Sequence, residues 1–181
     1  MGLVYIRPQN HRHCEDVLAY CQSINEDAYL SHQICVFEVN GSMRIQLKLT
    51  LESFQADLQD LLICVEGFDH QDIMSCALDL ASLYALGRYA HISELLLDSV
   101  LHQNDVLLTK LNTFFEDFNP ELIETARMYL AADGNAVLAA KSLYLHRNTF
   151  NYRMNKFVLK SQLRLSEQAQ AYFFQLWLNL Q

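Results

Sequence analysis

The sequence predicts an α+β protein, predominantly α: a small N-terminal α/β unit with a β-hairpin, an all-α helical linker, and a helical C-terminal domain. Three observations predict it. The 181 residues are 51% hydrophobic and 19% charged, enough to bury a core and too apolar for a disordered chain. Only 5 Gly and 2 Pro occur, too few turn residues for a sandwich or barrel of many short strands. Strand-like alternation is confined to the first half, and helical spacing takes over from Ile92. The expected division is 1–90 for the α/β unit, 91–119 for the linker and 120–181 for the last domain.

Residues 15–24 suit a short amphipathic helix with Val17, Leu18, Cys21 and Ile24 on one face. The runs 34–39 and 43–49 flank Asn40-Gly41, a strong short hairpin signal because both residues tolerate the positive φ of a type I′ turn. Thr50 is placed to cap a helix from Leu51, with Ser53 as the alternative start. Phe54, Leu58, Leu61, Leu62 and Val65 then repeat at helical spacing until Gly67. Asp69 or Gln71 opens another helix, which stops at Gly87.

From Ile92 onward the pattern is wholly helical. Leu101, Leu108, Leu111, Phe115 and Phe118 fall on a heptad seam with Asn104 at the remaining position, under three heptads in all. Bundle packing is the expectation, and Asn104-Asp105 can cap a new helix. Asn119-Pro120 opens a helix over 120–132, with Pro at its first position and acids in its first turn. Gly134 stops it and Asn135 caps a short Ala-rich helix over 136–143. A turn at 144–146 leads to a third helix, from Arg147 to about Lys160, and a last one is expected over 166–180, capped by Ser166.

Net charge is −8, which at face value opposes a polyanion partner. It is unevenly spread. After residue 120, seven basic residues face four acids; between Lys141 and Arg164 six basic residues occur with no acid. Distant acid does not cancel a local cationic stretch at physiological screening. The five Cys are an odd number without a CxxC pair, as in a reducing compartment. His11, His13, Cys14 and Cys21 raise a zinc reading, but adjacent ligands fit no common spacing, and an exposed polar loop is preferred. No metal or other cofactor is expected. The opening Met1–Arg7 has neither the basic region nor the apolar run of a signal peptide, and no run approaches the length that spans a bilayer. A cytoplasmic chain without a membrane partner is expected.

Three helices, the second short and Ala-rich and the third basic, have the layout of a helix-turn-helix. Ala139 and Ala140 permit close approach of the second helix to the third, with Leu143 and Leu145 filling the wedge. Phe150, Met154, Phe157 and Val158 form the stripe that docks the third helix. Its other face offers Arg147, Asn148, Asn151 and Asn155, residue types that pair with guanine and adenine edges in the major groove. Thr149, Tyr152, Arg153 and Lys156 flank it, within reach of phosphates. A solvated bundle face is the competing reading.

The stretch from Leu138 to Met154 resembles the C-terminal helix-turn-helix of PucR/CdaR-type bacterial transcriptional regulators. His146, Arg147, Asn148, Thr149, Tyr152 and Arg153 match that family's "HRNT..YR" signature. Residues 72–77 and 89–96 are more loosely similar to its central GGDEF-like domain, reduced here. Members commonly carry a further sensory domain in front, which is not expected within these 181 residues. The family's usual turn Gly is Tyr144 here, from which a turn without positive φ is expected, and its "TG.dL" after the third helix reads Ser161 to Leu165. The resemblance implies a sequence-specific regulator of double-stranded DNA whose N-terminal unit dimerises or senses a small-molecule effector. A homodimer is expected through the helical linker, with Leu97, Leu101, Leu108, Leu111 and Phe115 at its interface. An interaction protein that kept the fold and lost the DNA contact is the alternative. An enzyme is not expected, since no GGDEF string, Walker loop, metal motif or nucleophile elbow occurs.

Overall fold

Asn40 decides the course of the first half. In a computed structural model, which describes residues 2–181, the Asn40 side chain accepts a hydrogen bond from the Met43 amide at 3.0 Å. That is the geometry of a helix cap, and Gly41–Leu58 is a helix, α2. The expected hairpin over 34–49 is therefore corrected. Asn40 has φ −102°, whereas a type I′ turn needs positive φ at both central residues. The hairpin lies one strand earlier, where β2 (Tyr29–Ser31) returns as β3 (Ile34–Val39) through His32 and Gln33 at φ 48° and 67°.

The chain divides into two units, Met1–Leu107 and Leu108–Gln181. The first holds a five-stranded sheet of order β2-β3-β1-β4-β5. β1 (Gly2–Pro8) runs antiparallel to β3 and β4 (Leu62–Gly67), while β5 (Tyr89–His91) is parallel to β4. Here a second expectation fails. Residues 62–67, expected as the end of a helix, form a strand whose every residue is buried. A strand covered on both faces shows an unbroken apolar run instead of alternation, and such a run does not separate strand from helix.

Helix α1 (Cys14–Ile24) and α2 cover one face of the sheet, over a core of Val4, Ile6, Cys35, Phe37, Leu62 and Cys64. Helices α3 (Gln71–Tyr84) and α4 (Ile92–Leu101) pack against β4 from the other elements of the unit. α3 opens at Gln71, one of the two expected starts, with His70 at its cap. The sheet also buries a charge. Glu66 on β4 is 3% exposed and accepts hydrogen bonds from Arg44 of α2 and from the Tyr89 hydroxyl. Burial alone would push its pKa up, but the bonds from Arg44 and Tyr89, with Arg44's charge, outweigh it and hold the carboxyl below its ordinary value.

The residues of the 101–118 seam fall on two helices, with the break at Asn104 that its capping signal suggested. α4 ends at Leu101, Gln103 takes φ 56°, and the Asn104 side chain accepts from the Val106 amide to start α5 (Val106–Glu116). The second unit is all helix, with α6 (Pro120–Ala131), α7 (Ala136–Ser142), α8 (Arg147–Ser161) and α9 (Gln168–Asn179). Its core is aromatic: Phe115, Phe118, Phe157, Phe174 and Trp177 meet ring to ring. Trp177 also donates to the Asn112 side chain at 2.9 Å. The last helix begins two residues later than expected, with Glu167 at the cap position and no side-chain capping bond. Ser166 lies outside it. Among the described residues no helix is long and apolar enough to cross a membrane.

Candidate nucleic-acid interface

Each start and stop in 120–161 has a local cause. Asn119 accepts from the Glu121 amide at 2.9 Å, and Pro120 fills the first helical position, where no amide is missed. α6 ends with Asp133 and Gly134 at φ 52° and 77°. Asn135 then accepts from the Val137 and Leu138 amides to begin α7. His146 caps α8 by accepting from the Asn148 amide. Between the helices sit Ala139 and Ala140, both buried, with Phe150 of α8 and the half-buried Leu143 and Met154 around them. Small residues on α7 let a Phe from α8 reach the α6 side.

The stripe that docks α8 is Phe150 and Phe157, both fully buried, with Met154 and Val158 half-buried. The opposite side presents Arg147, Asn148, Asn151 and Asn155, all exposed, on positions one turn apart. Thr149, Tyr152 and Lys156 are exposed beside them. The Lys156 ammonium lies 4.6 Å from the Tyr152 ring centre. Arg153 is placed differently: it is half-buried and pairs with Glu121 of α6 at 2.8 Å, bracing α8 on α6.

Of the residues expected at a dimer interface, Leu97 and Leu101 are exposed and Leu108 is half-buried, while Leu111 and Phe115 are buried within the chain. The expected set of contact residues omits α7. A seven-residue helix buries one side only, and its exposed side carries Val137, Leu138 and Lys141. Across the turn, the expectation for Tyr144 is overturned. It takes φ 55°, the left-handed conformation that glycine adopts without strain. The residues that raised the zinc reading do not converge: Cys14 and Cys21 are buried, and His13 pairs with Asp16. Among the described residues no group of three or more His, Cys, Asp or Glu could hold a metal ion.

A short second helix locked by alanines against a third, whose free side is polar and basic, defines the helix-turn-helix class of module. Residues 122–181 match the family described as the PucR C-terminal helix-turn-helix domain. The chain is also 32% identical over 84 residues to a "Leucine-rich protein" of Streptococcus dysgalactiae subsp. equisimilis, covering 45% of this chain and 29% of that protein. It is 33% identical over 67 residues to the "Uncharacterized protein YxkF" of Bacillus subtilis (strain 168), covering 37% and 23%. The chain thus spans under a third of the length of these curated relatives. A crystal structure of the Regulator of Polyketide Synthase Expression from Bifidobacterium adolescentis superposes with a TM-score of 0.47 at 14% identity, over 98% of this chain and 78% of that one.

Proposed function

We propose that the chain is a sequence-specific DNA-binding transcriptional regulator of the PucR/CdaR type, with α8 entering the major groove of double-stranded DNA. The observation that carries this reading is the exposed row Arg147, Asn148, Asn151 and Asn155 on a helix whose other side is fixed by Phe150 and Phe157. The row reads base edges. Thr149, Tyr152 and Lys156 hold phosphates; Arg153 joins them only by giving up Glu121. Residues 120–181 are the DNA-binding domain in this reading. The sheet unit is a reduced GGDEF-like domain that dimerises or responds to a small molecule.

A single helix-turn-helix reads few bases, so the proposal includes a homodimer with half-sites about 34 Å apart or a multiple of that. Leu97 and Leu101 would meet the partner, while Leu111 and Phe115 support the chain's own packing.

Binding is tested on a duplex selected from random sequence by the wild-type chain. Arg147→Ala is expected to cost about 1–3 kcal/mol and relax preference at one position. Equal binding by variant and wild type rejects the base-reading role. Lys156→Ala is expected to weaken all duplexes alike and to lower the salt slope by about 1. Light scattering with and without the duplex tests the homodimer, and a strict monomer at high micromolar concentration removes it. A chain that retains no duplex at low salt and pairs instead with another protein replaces the whole reading with an interaction role.

A further inference from the structure

Tyr144 is the residue whose placement the helix packing does not account for. It follows α7 in a Schellman arrangement: its amide donates to the Lys141 carbonyl at 3.1 Å, and the Leu145 amide donates to the Ala140 carbonyl at 2.9 Å. The residue between these bonds must be left-handed, and glycine is preferred there because a Cβ is strained. Seven non-glycine residues among those described have positive φ. Six are Asp, Gln or His, and Tyr144 is the one Phe, Tyr or Trp. The strain gains no packing in return, since Tyr144 is 98% exposed. Its hydroxyl has no hydrogen-bond partner among the described residues, unlike Tyr5, Tyr20 and Tyr89.

The surroundings point to what the ring meets. Lys141 lies one turn before it and Arg147 three residues after, both exposed and without an acidic partner among the described residues. No acid occurs between Lys141 and Arg164. A fully exposed phenol at a strained position, flanked in sequence by two unpaired cations, suits a polyanion. A phosphate accepts from a tyrosine hydroxyl as well as from a lysine. We infer that Tyr144 is a backbone clamp, its hydroxyl donating to a DNA phosphate beside the amino end of α8. This rests on the DNA-binding reading and adds a contact outside the third helix.

The test uses the full chain, the selected duplex and a scrambled duplex of equal length, with binding read by fluorescence anisotropy at several salt concentrations. Tyr144→Gly and Tyr144→Phe are both expected to bind about tenfold more weakly, the loss of one hydrogen bond to a charged group. The loss is expected to be the same on both duplexes, because a phosphate contact carries no sequence information. A neutral hydroxyl releases no counterion, so the salt slope stays at the wild-type value. Thermal melting guards against misfolding: Tyr144→Gly is expected to melt at or above the wild-type temperature, since its left-handed backbone is relieved. Tyr144→Gly binding as tightly as wild type overturns the clamp, and Tyr144→Phe binding as tightly as wild type overturns the hydroxyl's role. A loss confined to the selected duplex also overturns it, in favour of base reading. Wild-type chain that retains neither duplex at low salt fails the DNA-binding reading itself, and the clamp with it.

Discussion

The two units are stabilised by different chemistry. The sheet unit has an aliphatic and thiol core, one phenylalanine among its fully buried largest side chains, and an ion pair between the buried Glu66 and the half-buried Arg44. The helical unit buries rings against rings, with Phe157 touching both Phe118 and Phe174. A sheet packed on aliphatic side chains shares its burial among many small apolar groups, and the Glu66–Arg44 pair adds one polar link between β4 and α2. A small helical module has little area to bury, so each contact must be large, and aromatic rings supply it. The lesson is that sensitivity is concentrated differently: in single large side chains in the second unit, in polar links in the first.

The largest effect expected from this contrast is that of Phe157→Ala, about 3–5 kcal/mol, because a fully buried ring is replaced by a cavity. Urea unfolding followed by emission of Trp177, the chain's single Trp, reads the unit concerned. A cost below about 1 kcal/mol would mean that the rings are not what holds it. Next is Glu66→Gln, expected to cost about 2 kcal/mol by leaving Arg44 with a neutral partner. Circular dichroism in urea measures it, and a neutral result would show the ion pair to be dispensable for the sheet.

The smallest effect is a pH response. The His91 ring accepts from the Ser93 amide to cap α4, which requires an unprotonated nitrogen. Burial pushes its pKa below the ordinary value, with the Glu66 and Glu94 carboxylates opposing in part. A base with a lowered folded pKa binds fewer protons folded than unfolded. Its contribution is therefore complete above about pH 6.5 and is lost as pH falls below it. Glu66, also lowered, contributes above the ordinary carboxylate range and loses its part only on further acidification, so the two windows separate. Melting temperature is expected to fall between pH 7.5 and 5.5 more steeply in wild type than in His91→Asn, where an amide keeps the cap, worth about 1 kcal/mol. Parallel curves would exclude His91 as the cause.

The same contrast governs how much could be read in advance. Helix limits in 120–161 are marked by Asn119-Pro120, Gly134-Asn135 and an apolar stripe, all local signals, and they agree with the structure within two residues. The sheet depends on pairing between distant segments. Leu62–Gly67 gains its strand character from β1 and β5 on either side, and no spacing within it says so. Asn40-Gly41 is locally ambiguous, because Asn both opens turns and caps helices, and here the helix wins. The polar row on α8 was legible as a pattern. That Arg153 faces Glu121 was not, since a helical period places it near that row but cannot show a partner 32 positions away.

All five thiols lie in the sheet unit, and all are buried. A thiol reagent in solution reacts with a buried cysteine only when its surroundings open. The rate at which the unmodified chain takes up such a reagent is therefore a clock for opening of the unit whose core holds the thiols. Trp177, in the other unit, is untouched by that chemistry and reports by its light emission. One native chain thus carries two inborn probes with no label added, and a molecule presented to it can be asked which half it steadies.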